Sequence, residues 1–123
     1  MHTVLIADDE HNIRHILDFS LNAEGFDVLS AHTGEDALAL AREHHPDLII
    51  LDVMMPGKGG IETCRALKED PETAAIPVIL LTARSSKADR DAGDAAGANE
   101  YITKPFSPQK VIDAVQGLLG AAH

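Results

Sequence analysis

The stretch Leu48-Ile49-Ile50-Leu51-Asp52, followed by Val-Met-Met-Pro-Gly-Lys-Gly-Gly over residues 53–60, decides the fold of this chain. Four consecutive apolar residues that end in a carboxylate are typical of a strand buried on both faces, as in a parallel sheet covered by helices. Proline and glycines follow, so we predict that the strand ends at Asp52 and that a loop begins there. A carboxylate at the carboxyl end of a central parallel strand lies where open α/β sheets bind their ligands. Asp52 is therefore the candidate reactive group.

Short apolar runs alternate with amphipathic stretches along the rest of the chain. We predict strands over 3–7, 26–30, 48–52, 77–82 and 99–103, and helices over 11–24, 34–44, 60–69, from about Ser86 to Gly97, and from Pro108 to Leu119. This alternation indicates right-handed βαβ units and a parallel sheet with helices on both faces. We therefore expect one α/β domain over 1–123 that is doubly wound. If it is flavodoxin-like, its strand order is 2-1-3-4-5, and strands 1 and 3 are neighbours.

Composition excludes several classes of function. The 123 residues include 20 acidic and 10 basic side chains, and the resulting net charge of -10 disfavours direct binding to nucleic acid. A single cysteine, Cys64, excludes an internal disulfide and fits a reducing cytoplasm. The first ten residues turn acidic too early for a signal peptide, and no apolar run approaches the roughly 20 residues that span a bilayer. A cytoplasmic protein without a membrane segment is expected.

The predicted fourth helix has an unusual inward stripe made of small residues. Its members are Ala88, Ala92, Ala95 and Ala96, and Gly93 lies within the helix. Alanines bury little apolar area, and an interior glycine costs about 1 kcal/mol relative to alanine. Two interpretations remain open: a weakly held helix that moves in a switch, or an amphipathic helix that packs through small side chains.

Polar side chains stand at the predicted ends of four strands. They are Asp8, Asp9, Asp52, Thr82 and Lys104. Because the carboxyl ends of parallel strands share one edge of the sheet, we expect these groups to converge. Three carboxylates held close together require a cation, and an oxygen-only ligand set suits Mg²⁺.

This set of groups fits phosphoryl transfer. A carboxylate such as Asp52 can attack phosphorus and form an acyl phosphate. The transition state spreads charge over three equatorial oxygens, which Mg²⁺, Lys104 and Thr82 would each stabilise. The residues alone thus predict a phosphoacceptor site.

Four motifs in this order and spacing resemble the receiver domain of two-component response regulators. They are IADDE (6–10), LIILDVMMPGKGG (48–60), ILLTA (79–83) and YITKPF (101–106), and the resemblance covers essentially the whole chain. It implies that Asp52 is the phosphoacceptor and that Mg²⁺ (or Mn²⁺) is the cofactor. It further implies that Asp9 binds the metal directly, that Asp8 acts mainly through water, and that the backbone carbonyl of Met54 completes the protein ligands.

The same resemblance assigns a switch and partners. It implies that Thr82 and Tyr101 move together on activation, and that the Lys104–Pro105 peptide bond is cis. The output surface would be the fourth helix, the fifth strand and the fifth helix. The implied partners are a sensor histidine kinase or phosphotransfer protein, and a downstream output protein or a separate output domain.

Two other classes of function are weighed against this one. A Mg²⁺-dependent phosphatase that passes through an aspartyl phosphate would need a second carboxylate two residues after Asp52, where Met54 stands. A structural interaction module with a vestigial pocket is disfavoured by the complete acidic set. His11 and His15 have metal-ligand spacing on a helix, but without an evident third ligand we interpret them as solvated.

Overall fold

The computed structural model describes residues 2–55, 59–83 and 87–119, and for Ala88 and Asp89 it describes the backbone alone. In these residues five strands alternate with five helices. The elements are β1 (Thr3–Ala7), α1 (His11–Ala23), β2 (Asp27–Ala31), α2 (Gly34–His44), β3 (Leu48–Asp52), α3 (Gly60–Glu69), β4 (Val78–Thr82), α4 (Lys87–Ala96), β5 (Glu100–Thr103) and α5 (Pro108–Leu119). All strand pairs are parallel, and the order β2-β1-β3-β4-β5 confirms the predicted α/β fold.

Three predicted strands begin one residue later in the structure, at Asp27, Val78 and Glu100, and β2 also ends one residue later, at Ala31. β2 begins at Asp27 because Phe26 belongs to the turn that ends α1: its N–H donates to the carbonyl of Leu21 at 3.0 Å, and Gly25 has a φ of 92°. β4 begins at Val78 because Pro77 has no N–H for the sheet. Ser86, the loop at 56–58 and the tail from Gly120 lie outside the described residues.

Side-chain hydrogen bonds cap two helices at their first turns. Thr33 accepts from the backbone N–H of Asp36 at 3.1 Å at the start of α2. Ser107 accepts from the backbone N–H of Lys110 at 3.2 Å at the start of α5. Each bond satisfies a donor that the first turn of a helix leaves without an intrahelical partner, so these residues set where α2 and α5 begin.

Successive residues of the central strands point to opposite faces and build two cores. The core beneath α2, α3 and α4 contains, from the strands, Leu5, Ala7, Ile49, Leu51, Val78 and Leu80. The core beneath α1 and α5 contains Val4, Ile6, Leu48, Ile50, Ile79 and Leu81. Both faces of β3 are therefore covered, and the strand is buried over its whole length, including Asp52 at its carboxyl end.

The inward face of α4 differs from the predicted alanine stripe. Gly93 and Ala96 are buried, Ala92 is half-buried and Ala95 is exposed, so the prediction was wrong for Ala95. Ala95 lies about 200° around the helix from Gly93, at about 100° per residue, and therefore faces solvent. In the described part of the chain, no helix combines the length and apolar character that crossing a bilayer requires.

Candidate functional site

The sheet register brings the chemistry-bearing strand ends to one edge. Ala7 of β1 pairs with Leu51 of β3, so the residues that follow them, Asp8 and Asp52, leave the sheet side by side. On the other side of β3, Thr82 of β4 pairs with Thr103 of β5, which directly precedes Lys104. The ends of four strands that are distant in sequence therefore lie at one edge of the sheet.

Lys104 is the cation of this pocket. Its Nζ lies 3.0 Å from Oδ2 of Asp52, 3.4 Å from Oδ2 of Asp8 and 3.5 Å from Oε1 of Glu10. Asp8 is fully buried and Asp52 is 2% exposed, whereas Glu10 lies at the solvent edge. Three carboxylates thus converge on one ammonium group, and the pocket keeps an excess of negative charge.

Backbone amides fix how the two buried carboxylates are turned. Oδ1 of Asp8 accepts from the N–H of Glu10 at 2.8 Å, and Oδ1 of Asp52 accepts from the N–H of Met54 at 3.1 Å. In both residues the other oxygen, Oδ2, faces Lys104. Each carboxylate is therefore held by an amide two residues onward, which leaves its second oxygen directed into the pocket.

Arg14 is hydrogen-bonded to the backbone of the loop between β1 and α1. Its Nη1 donates to the backbone carbonyl of Asp8 at 2.6 Å, and the side chain is largely buried. Arg14 is not among the candidate site residues that the sequence indicates. Its spacing could have indicated burial: Arg14 stands three residues before Leu17 and seven before Leu21, so it shares their buried helix face.

The pKa values of two groups reflect this crowding. Burial raises the pKa of Asp8 to about 6, the charge of Asp52 adds to the effect, and the Glu10 amide and Lys104 oppose it. Burial alone would lower the pKa of Lys104, but the hydrogen bond and charge of Asp52, together with Asp8, raise it above the usual value. An additional cation would relieve the repulsion between the carboxylates.

A divalent metal fits the donor set that the structure assembles. Asp8, Glu10 and Asp52 each offer a carboxylate oxygen, and these oxygens lie within 4.8 Å of one another. Within the described ranges, this is the single group of three or more His, Cys, Asp or Glu residues with that geometry. Hard carboxylate ligands suit Mg²⁺, which binds through a few protein oxygens and retains water.

The metal-ligand prediction differs from this grouping at one position. Asp8 and Asp52 are brought together, but the third carboxylate is Glu10, which the sequence analysis omitted although it completes the IADDE motif. Asp9, expected as the direct ligand, is exposed and lies outside the group, because the chain turns there from the end of β1 into α1. The predicted role of the Met54 carbonyl stays a prediction.

Thr82 and Tyr101 lie on the same side of the sheet. Leu80, two residues before the buried Thr82, pairs with Tyr101, and both Leu80 and Tyr101 pack in the core beneath α4. The Tyr101 hydroxyl donates to the carbonyl of Arg90 in α4, and the Arg90 guanidinium lies 5.7 Å from the ring centroid.

The Lys104–Pro105 peptide bond is cis, as the family resemblance implied.

Gly60 allows α3 to begin directly against the end of β3. Its N–H donates to the carbonyl of Val53 at 3.1 Å. A Cβ at this position would overlap the carbonyl oxygen of Asp52 and lie 2.9 Å from Cα of Val53. Gly60 therefore packs against the backbone that carries the candidate reactive group. From the sequence, the glycine pair indicated only that a loop follows β3.

Comparisons with known proteins agree with this geometry. A protein named as a response regulator from Chloroflexus aurantiacus is 37% identical, with a TM-score of 0.92 and coverage of 97% of this chain and 98% of that one. CheY4, a chemotaxis protein of Vibrio cholerae, is 33% identical, with a TM-score of 0.92 and coverage of 96% and 98%.

A third similar structure contains a metal ion. The receiver domain of a sensor histidine kinase from Pseudomonas aeruginosa, with magnesium coordinated in its active site cleft, is 25% identical, with a TM-score of 0.89 and coverage of 97% and 98%. The model of the response regulator receiver domain matches residues 4–116 of this chain. The chain therefore belongs to the response regulator receiver domain family of two-component signalling.

Proposed function

We propose that this receiver domain accepts a phosphoryl group on Asp52 from a phosphohistidine of a sensor histidine kinase or phosphotransfer protein. The observation that carries the proposal is the convergence on Lys104, whose Nζ lies 3.0 Å from Asp52 and 3.4 Å from Asp8. A buried carboxylate beside a fixed ammonium group can approach a phosphoryl group while the charge of that group is neutralised.

The proposed transfer exchanges one bond to phosphorus for another. An Oδ of Asp52 forms a P–O bond as the P–N bond of the phosphohistidine breaks, and the electron pair of that bond returns to the imidazole nitrogen of the donor. The product is an acyl phosphate on Asp52. Lys104 and Thr82 would neutralise and hydrogen-bond two equatorial oxygens, and the amide of Met54 keeps Asp52 oriented.

Mg²⁺, or Mn²⁺, is the proposed cofactor. Asp8, Asp52 and the Met54 carbonyl would hold it, together with either Asp9 or Glu10 as the third carboxylate. The ion would supply charge neutralisation at the third equatorial oxygen. The close oxygens of Asp8, Glu10 and Asp52 support such a site.

Phosphorylation would act on the surface of α4, β5 and α5 through Thr82 and Tyr101. The Tyr101 hydroxyl contacts the Arg90 carbonyl, and the ring lies against Gly93. A rotation of Tyr101 toward the core would break the hydrogen bond to the Arg90 carbonyl and would move the ring away from Gly93. The changed surface would then bind a downstream output protein or a separate output domain.

The remaining parts of the proposal concern the extent and setting of the protein. We propose that residues 1–123 form one receiver domain that functions in the cytoplasm, without direct contact to nucleic acid or membrane. A net charge of -10 supports the exclusion of nucleic acid. Receiver domains are regulators, and the phosphatase alternative is not favoured because the residue two positions after Asp52 is an exposed methionine.

The test is modification with acetyl phosphate and Mg²⁺, read by intact mass and by hydroxylamine sensitivity of the adduct, which is typical of an acyl phosphate. We expect one adduct on the wild type and none on Asp52→Asn. Asp27→Asn, an exposed carboxylate at the opposite edge of the sheet, is the matched control and should be modified like the wild type. A wild type that stays unmodified, or an adduct that persists in Asp52→Asn, would overturn the proposal.

A further inference from the structure

Three histidines that are apart in sequence lie around one surface depression. His11 and His15 are on α1, and His32 directly follows β2. Asp18 of α1 lines the same depression. His11 and His15 have metal-ligand spacing but no third ligand nearby in sequence, and the pairing of β2 with β1 brings His32 to the same depression.

The two helix histidines present their rings to the same side. They are four residues apart, their ring centroids are separated by 6.2 Å, and the rings are inclined by 23°. His11, His15 and His32 are all exposed, so each ring can rotate without displacing core atoms. The nitrogens of the three rings are not all within 4.8 Å of one another. Among the described residues, Asp8, Glu10 and Asp52 are the one group that meets this distance.

We propose that His11, His15 and His32 form a binding site for a borderline transition-metal ion of the Zn²⁺ class. Imidazole nitrogens are preferred ligands of such ions, and two histidines one helical turn apart are a recurrent half-site. In the proposed site the three exposed side chains would rotate to share one ion. The fourth position would be filled by the Asp18 carboxylate or by water.

The charged neighbours are compatible with a cation. Asp18 accepts a hydrogen bond from Asn22 and places a carboxylate group in the same depression as the histidines. Arg14 also lines the depression, but its Nη1 donates to the Asp8 carbonyl and so engages the β1–α1 loop. The net charge of the chain, -10, further favours binding of a cation.

The proposed site is distinct from the acidic pocket in ligand chemistry. The acidic pocket offers carboxylate oxygens, which suit Mg²⁺, whereas the histidine site offers nitrogen ligands, which Mg²⁺ disfavours. The inference therefore stands independently of the proposed phosphoacceptor function.

The test is titration of the full chain with Zn²⁺ in the presence of excess Mg²⁺, followed by calorimetry and by the NMR signals of the histidine rings. We expect one saturable Zn²⁺ per chain, reversed by a chelator, with shifts confined to His11, His15 and His32. His15→Gln and His32→Gln should each weaken Zn²⁺ binding by at least about 10- to 100-fold, the loss seen when a residue that only hydrogen-bonds a metal ligand is removed.

Two control variants separate this site from other sources of zinc binding. His44→Gln removes an exposed histidine at the end of α2 and should leave the affinity unchanged. Asp8→Asn should also leave it unchanged, because it alters only the acidic pocket. Zinc binding that is absent, that is insensitive to His15→Gln and His32→Gln, or that is lost in Asp8→Asn would overturn the proposal. Circular dichroism checks that each variant remains folded.

Discussion

At the scale of single residues, the buried carboxyl of Asp8 carries an energetic penalty. Its pKa is raised from 3.8 to about 6, chiefly by burial, so the folded protein binds this proton more tightly than the unfolded chain does. The stability that this tighter proton binding contributes is fully present below pH 3.8 and is lost as the pH rises through about 6. At neutral pH the ionised Asp8 should destabilise the fold, and a divalent cation is the expected compensation.

Asp8→Asn should therefore stabilise the metal-free protein at neutral pH. The amide keeps an acceptor for the Glu10 N–H and removes the charge. At pH 7 the free energy of unfolding should rise by up to roughly 3 kcal/mol, and the gain should shrink between pH 6 and pH 4. Urea unfolding with a chelator at several pH values measures this difference, with Asp27→Asn as the control. A gain independent of pH, or a loss of stability, would contradict the prediction.

Arg14 is the second residue whose contribution can be measured. Arg14→Met keeps the apolar stem of the side chain but leaves the Asp8 carbonyl without its charged donor. Loss of such a hydrogen bond should lower the free energy of unfolding by about 1.5–3 kcal/mol. Arg65→Met, at an exposed position of α3, is the matched control and should change little. Equal stabilities of the two variants in urea would show that the Arg14 contact contributes nothing.

At the scale of secondary structure elements, α4 and β5 are fitted together at Gly93. A Cβ at Gly93 would overlap the hydroxyl and ring of Tyr101 and lie 2.8 Å from Cδ1 of Leu80. The glycine therefore costs helix propensity but permits a close approach of β5. This contact explains why a residue unfavourable to helices stands within α4, and it supports the interpretation that α4 packs through small side chains.

Gly93→Ala should reverse the usual effect of adding a methyl group to a helix. Within a helix the change normally stabilises by about 1 kcal/mol. Here we expect destabilisation by about 1–3 kcal/mol, because the added carbon overpacks the contact. Gly117→Ala in α5 is the matched control, because nothing lies within 4 Å of its Cβ position, and it should stabilise.

A double-mutant cycle with Tyr101→Ala isolates the contact. Removing the ring should relieve most of the penalty of Gly93→Ala, with a coupling free energy between the two changes of about 1 kcal/mol or more. Thermal or urea unfolding of the four proteins supplies the measurement. Additive effects would mean that Gly93 is required for a reason other than the aromatic ring.

At the scale of the whole molecule, the acidic pocket exists only when the sheet is assembled. Lys104 is separated from Asp52 by 52 positions and from Asp8 by 96. An ion held by these groups binds the native state and not the unfolded chain, so it should stabilise the entire domain. Mg²⁺ at about 100 times its dissociation constant should add about 2.7 kcal/mol to the free energy of unfolding.

Variants of the neighbouring acids distinguish which third carboxylate takes part. The stabilisation by Mg²⁺, measured as a rise in unfolding temperature, should vanish in Asp52→Asn. Comparison of Asp9→Asn with Glu10→Gln shows which of the two contributes: the structure groups Glu10 with Asp8 and Asp52, whereas the family resemblance favours Asp9. A Mg²⁺ effect that survives in Asp52→Asn would mean that the ion binds elsewhere.

The features that depend on local pattern follow from the order of the amino acids alone. The run Leu48–Asp52 and the alternation of strands and helices predict the α/β fold class, and the caps at Thr33 and Ser107 likewise follow from local sequence. The strand order does not follow from periodicity: 2-1-3-4-5 was expected for a flavodoxin-like sheet, and the strand pairing confirms it. The convergence of Asp8, Asp52 and Lys104 was predictable too, since parallel strands end on one edge.

Which side chains turn toward one another depends on how the folded segments are arranged. The grouping of Glu10 rather than Asp9 depends on the path of one short loop, and Arg14 became a support for Asp8 through the rotation of α1 on the sheet. The need for Gly93 arises from an aromatic ring on a different strand, and the third histidine beside α1 comes from the pairing of β2 with β1. These outcomes depend on distances between separate segments, which local pattern does not encode.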